Sequence, residues 1–245
     1  MRATLRSELL KQRSIPTTGA LFAGMLGLVA LAVVLHGVGL TGDALADRDN
    51  QLMILGRGEF LGALFAALLG ATSITAEIRH GTIRPTFLVT PWRGRVIAGK
   101  LGIGALLGAA FGLAASALAA GVGAGVLGAR VVDLQLDAGD YALLVAGGTA
   151  ASALWAAIGV GVGALVRDQV PALVGISAWL LFVEGLFGGS LAAVTRFLPG
   201  GLAMAASGQD PDTLLAPGLS VVLLALYALA AAAVGCVATI RRDVI

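Results

Sequence analysis

Apolar residues run along this chain in blocks too long for a soluble core, separated by short polar stretches. A hydrocarbon layer of about 30 Å takes roughly 20 helical residues at about 1.5 Å each. Six blocks have suitable length: 18–40, 60–78, 96–127, 141–166, 170–190 and 214–240. None alternates polar and apolar positions between turn signals as a barrel strand does. Lipid offers no partner to an open backbone, so each block predicts an α-helix. The second block is the shortest and begins beside Glu59, which leaves its ends the least defined. Residues 1–245 read as one all-α integral membrane domain with six transmembrane helices.

Ahead of the first block, Leu5, Leu9 and Leu10 interleave with Arg2, Arg6, Lys11 and Arg13. That pattern predicts a short amphipathic helix lying at the membrane interface and ending near Pro16. The first block is too long for the apolar part of a signal peptide and five more follow, so no cleaved leader is expected. Loop charge gives the orientation. Twelve of the 16 basic residues fall in the N-terminal segment, the loop at 79–100, Arg167 and the C-terminus. Arg48, Arg57, Arg130 and Arg196 lie on the other side, among Asp43, Asp47, Asp49, Asp133, Asp137, Asp140, Asp210 and Asp212. The basic side faces the cytoplasm, which places both termini there, and an even number of spans is consistent with that.

Composition narrows the function classes. Hydrophobic residues make up 58% of the chain and charged ones only 12%, against about 25% charged in soluble domains. A net charge of +2, with its arginines in short loops, argues against nucleic acid as a partner. The single cysteine, Cys236, and the two histidines, His36 and His80, are too few for a zinc site. Neither histidine pairs with Ser177 or Ser190 at one membrane depth, so an intramembrane serine protease is excluded. Residues 94–101 carry the glycine spacing and lysine of a P-loop, but Leu101 replaces the hydroxyl that holds magnesium. A basic loop, not a buried strand, precedes them. The chain is expected to be no enzyme and to bind no cofactor of its own.

Among polar residues, Glu184 is the one acid well inside a block. A carboxylate at the bilayer centre costs about 2.5–3.5 kcal/mol, so it needs a reason. It reads either as the lining of a translocation path or subunit seam, or as a hydrogen-bonded group near the outer interface. Gly104, Gly108 and Gly112 recur at a four-residue spacing and make a groove for close helix packing. Packing within the chain is the simpler reading and a dimer face the other. Trp92 fits an interfacial anchor, while Trp155 and Trp179 are expected between helices.

The most distinctive polar segment is 77–95. Gly81 is suited to stop the preceding helix, and Thr82 to cap a short one with Pro85 near its start and Pro91 at its end. Phe87, Leu88 and Val89 would give that helix an apolar side. Here the chain resembles the permease subunits of ABC-2 type transporters, whose corresponding connection carries an acid, a Gly-Thr pair, a leucine-rich stretch, a Pro and a Lys. Glu77, Gly81, Thr82, Leu88, Pro91 and Lys100 match in order. The resemblance extends to the six-span plan, the amphipathic N-terminus, and a fifth span ending in an acid and followed by Leu198-Pro199.

This resemblance implies a homodimer of permease subunits in a prokaryotic cytoplasmic membrane, exporting cargo. A separate cytoplasmic ATPase subunit, carrying ATP and Mg, would dock on a coupling loop of Glu77, Arg79, His80, Gly81, Thr82, Arg84 and Pro91. Short re-entrant or extracellular helices are implied over 191–206. The apolar spans favour amphiphilic cargo. Two other classes stay open: an ion-coupled carrier using Glu184, and a non-transporting scaffold that recruits a cytoplasmic partner through 81–95.

Overall fold

Long runs of Ala, Leu, Val and Gly with few breakers produce long helices here, and prolines mark several of their starts. In the computed structural model, which describes residues 2–82, 93–190, 192–210 and 212–241, the elements are helical throughout. They are α1 (Arg2–Ser14), α2 (Pro16–Gly39), α3 (Gly42–Leu45), α4 (Arg48–Leu55), α5 (Arg57–Arg79), α6 (Arg93–Ala129) and α7 (Ala138–Val166). There follow α8 (Gln169–Ala178), a π-turn (Trp179–Val183), α9 (Glu184–Ser190), α10 (Ala192–Thr195), α11 (Pro199–Ala206) and α12 (Pro217–Arg241).

Six helices among the described residues are long and apolar enough to cross a membrane: Pro16–Gly39, Arg48–Arg79, Gly94–Ala129, Ala138–Val166, Gln169–Phe187 and Pro217–Arg241. The chief departure from the sequence blocks is the second. Gly56 adopts a right-handed helical conformation (φ −61°) instead of breaking the chain, so α4 leads directly into α5. A side chain at Gly56 would displace the amide of Gln209, which packs against the bare glycine. Over 191–206, where short helices were implied, α10 and α11 lie. Gly81 takes φ +69° two residues beyond α5, the left-handed conformation that suits glycine after a helix end.

α5, α6 and α7 form the centre, with α2 against α5 and α6, α12 against α7, and α8 against α5. Apolar side chains gain little over acyl tails by meeting one another in lipid, so close backbone packing has to hold such helices together. The glycines supply it. A Cβ at Gly70 would strike the Ala156 carbonyl, and one at Gly159 the Ala67 carbonyl, so α5 and α7 meet backbone to backbone. At Gly108 a Cβ would lie 2.6 Å from Ser152 O, and at Gly112 2.6 Å from Gly148 O. Those two face α7 of the same chain, with Gly104 more loosely beside Val160. Hydroxyls within the spans bond backward to their own helix, Thr75 to Ala71 O and Thr239 to Gly235 O, which answers their polarity locally.

Outer faces of α2, α8, α9 and α12 expose Leu35, Val170, Leu186, Leu226 and Leu229. Such surface suits lipid and would be a liability in water. Replacing Gly112 by Leu is expected to destabilise the protein by at least about 2 kcal/mol through overpacking against α7. Gly121, with nothing within 4 Å, is the control, and Gly121→Ala is expected to be neutral. Thermal unfolding of both variants in mild detergent checks this; equal midpoints would remove the glycine groove as the source of cohesion.

Candidate functional site

Among the described residues, two clusters of buried ionisable side chains interrupt the apolar bundle, at opposite ends of α5. The first gathers α1, the end of α5 and the start of α6. Helix α1 turns Glu8 and Gln12 inward and leaves Leu10 56% exposed, so its polar side faces the bundle. Opposite it, Lys100 is buried at 2% exposure, two turns into α6. Its ammonium donates to Glu8 Oε2 at 2.9 Å and to Ser73 O at 3.0 Å, and lies 2.8 Å from Glu77 Oε1. Two hydrogen bonds and one ion pair thus surround the buried ammonium. Lys11 completes the lattice, 3.1 Å from Glu8 Oε1 and 2.9 Å from Glu77 Oε1. Two cations thus balance two carboxylates. Burial disfavours the charged form of Lys11, but its hydrogen bond to Glu77 and the charges of Glu77 and Glu8 outweigh that and raise its pKa. The stabilisation from Lys11 is therefore complete below the ordinary lysine value and is lost only as pH rises through the raised one. It holds throughout the neutral range.

The residues predicted for a coupling loop divide around this lattice. Glu77 points inward with its side chain 13% exposed, and its Oε2 has no partner among the described residues. Arg79, His80, Gly81 and Thr82 are exposed immediately beyond it. Arg79 donates to Gln169 Oε1 at 3.3 Å, joining the end of α5 to the start of α8. Arg167 reaches Ala238 O on α12 at 3.5 Å, so the last turns of α7 and α12 share this end with α1. Arg84 and Pro91, like Trp92, lie outside the described residues.

The second site lies near the start of α5. Glu59 is 2% exposed, with Oε2 accepting from Gln209 Nε2 at 3.2 Å. Gln209 also donates to Ser207 Oγ at 2.7 Å. Across a cavity of about 240 Å³ stands Glu184, 8% exposed. Oε1 of Glu184 accepts from Trp179 Nε1 at 2.5 Å and Gly200 N at 2.9 Å, and Oε2 accepts from Gly201 N at 3.2 Å. Gly200 and Gly201 open α11, so the carboxylate satisfies N–H groups that the helix itself leaves unpaired. The π-turn Trp179–Val183 widens the helix just before Glu184, and Trp179 at its start donates forward to the acid five residues on. The remaining wall is largely apolar, with Phe60, Ala63, Leu180, Ala203 and Met204. Trp155 and Thr195 also line it, and neither Trp155 Nε1 nor Thr195 Oγ1 has a partner among the described residues.

The sequence matches no protein-family model and no curated protein. The site must be read from its own chemistry. Sequence reasoning singled out Glu184 and Glu77 but missed Glu59, Gln209, Glu8 and Lys11 as site residues. An acid at the edge of an apolar run, such as Glu59, resembles a boundary marker. Only the possibility that the run extends further back would have exposed it.

Removing one member of the lattice leaves a charge without its answer. Lys100→Met is expected to cost about 3–5 kcal/mol, because Glu8 and Glu77 are then left to share the single, partly exposed ammonium of Lys11. Adding Glu8→Gln and Glu77→Gln to it is expected to restore most of that loss. Thermal unfolding in detergent reads both effects, and an Lys100→Met protein as stable as the parent would show that the lattice carries no load.

Proposed function

We propose that this chain is the membrane-spanning permease subunit of an ATP-driven transporter of the ABC-2 kind, energised by a separate ATPase subunit. The observation that carries the reading is the lattice of Lys100, Glu8, Lys11 and Glu77 directly behind the exposed Arg79–Thr82 strip. A protein seated on that strip would bear on α5, and the lattice would pass the load to α1 and α6 together. A loop that only met lipid headgroups would explain its arginines without the buried ion pairs behind them.

In this reading the lattice end is cytoplasmic, as the concentration of basic residues requires, and both termini lie there. α1 sits at the interface, with the exposed Leu10 toward lipid and Glu8 toward Lys100. Glu59, Glu184, α10 and α11 then occupy the outer half. Two copies pair in a prokaryotic cell membrane, and cargo leaves the cell. ATP and Mg belong to the partner chain.

A second reading rests on the cavity. Two carboxylates facing one space are what an ion-coupled carrier would use, with no ATPase required. Under it, Glu184→Gln abolishes gradient-driven uptake into proteoliposomes.

Mild-detergent purification of the tagged protein from its native membrane, with mass identification and an ATP-hydrolysis assay, separates the two. Recovery of an ATPase is expected, with at least about tenfold less in an Arg79→Glu/His80→Glu variant whose unfolding midpoint is unchanged. Recovery of the chain alone after crosslinking, without hydrolysis, would reject the permease reading in favour of the carrier.

A further inference from the structure

The cavity between Glu59 and Glu184 has an electrostatic imbalance. Glu184 is answered by three N–H donors. Glu59 has one, from Gln209 to Oε2, and its Oε1 has no hydrogen-bond partner among the described residues. No lysine or arginine pairs with either acid among the described residues. A buried carboxylate with so little support is costly to keep charged unless something positive enters beside it.

Walls and size say what enters. Apart from the two acids and Thr195, the lining is apolar and aromatic, which favours a guest with a substantial apolar body. An apolar cavity of about 150 Å³ takes a benzene ring. At about 240 Å³, this one has room for a ring and a short aminoalkyl arm. Phe60 and Trp155 contribute aromatic side chains to the wall, and a π-system attracts an ammonium. Trp155 Nε1 and Thr195 Oγ1, on the same wall, are buried without a partner among the described residues. Gly185 and Met204 on the lining are exposed, so the space opens at the outer surface of the bundle.

We infer that this cavity is a binding site for a small amphipathic organic ammonium, held by Glu59 through its charged head and by the apolar wall through its body. As a statement about cargo, this rests on the transporter reading; as a statement about binding, it does not. Glu184 holds α11 in place as the far wall and positions the site without needing to contact the guest.

Titration of the purified chain in nanodiscs with 2-phenylethylammonium, followed by calorimetry, tests it. The probe is expected to bind, and Glu59→Gln to weaken it at least tenfold. The neutral analogue 2-phenylethanol and the anionic 3-phenylpropanoate are expected to bind at least tenfold more weakly than the ammonium. Should Glu59→Gln fail to fold, Gly185→Leu gives an independent reading. Gly185 is an exposed residue of the lining and a Cβ there meets nothing within 4 Å, so the fold should persist, and a leucine at this rim is expected to weaken binding at least tenfold. Equal affinity for the charged and neutral probes, or no binding of either, overturns the inference and makes the cavity a place for acyl chains. An ATPase recovered with a chain that fails to bind the ammonium would leave the permease reading standing without this one. Binding by a chain that recovers no ATPase would do the reverse.

Discussion

The backbone contact between α5 and α7 is the constraint on which the remaining structure depends. Where Gly70 meets the Ala156 carbonyl and Gly159 meets that of Ala67, no side chain fits between the two helices. Lipid-embedded helices lack the water-driven force that collapses a soluble core, so their cohesion comes from such close approach. The same device brings α6 to α7 through Gly108 and Gly112, and α12 to α7 through Gly161 and Gly235. Once these seams are closed, polar side chains of any length are excluded from the middle and have to collect where the helices diverge.

Both polar sites obey that rule, and they solve the problem of buried charge differently. At one end charges meet charges: Lys100 and Lys11 both pair with Glu8 and Glu77, and Lys100 also donates to Ser73 O. Such a set is costly to break and adds little net stability over apolar packing, but it fixes which elements meet. At the other end Glu184 is answered by backbone N–H groups and an indole, while Glu59 keeps one oxygen unengaged. The lattice is closed chemistry. The cavity is open chemistry, and that contrast separates a joint from a site.

The helices were legible because block length and lipid thickness impose the same number of residues. Their ends were less so. The second apolar block begins at 60, yet the helix runs on back through Gly56, whose αR backbone joins α4 to α5. Glu59 looked like the start of water because its partner is Gln209, 150 positions away, and no local pattern announces that pairing. In α1 the amphipathic pattern was legible, but the partner of its polar side was not: Lys100, 92 positions away, draws Glu8 inward while Leu10 stays exposed. Glu184 stood out from its surroundings correctly as a residue needing a reason. That reason, the start of α11, lay beyond the span and was invisible from within it.

The two sites are joined by one rod. Glu59 and Glu77 lie on α5, 18 positions apart, about 27 Å along a helix axis. That rod is packed against α7 by backbone contacts, which do not compress as flexible side chains would. Its permitted motion is therefore constrained: separation from α7 forfeits the seam, and bending needs a break that Gly70 does not provide while seated on Ala156. Sliding along the glycine groove, or tilting about it, preserves contact. Glu59 is tied to Gln209 just past α11 and Glu184 to Gly200 and Gly201 at its start, so both acids hold the same short helix. In the proposed transporter, a load beside Arg79 and a guest beside Glu59 would therefore both bear on α5, and the seam with α7 would limit the displacements either could produce.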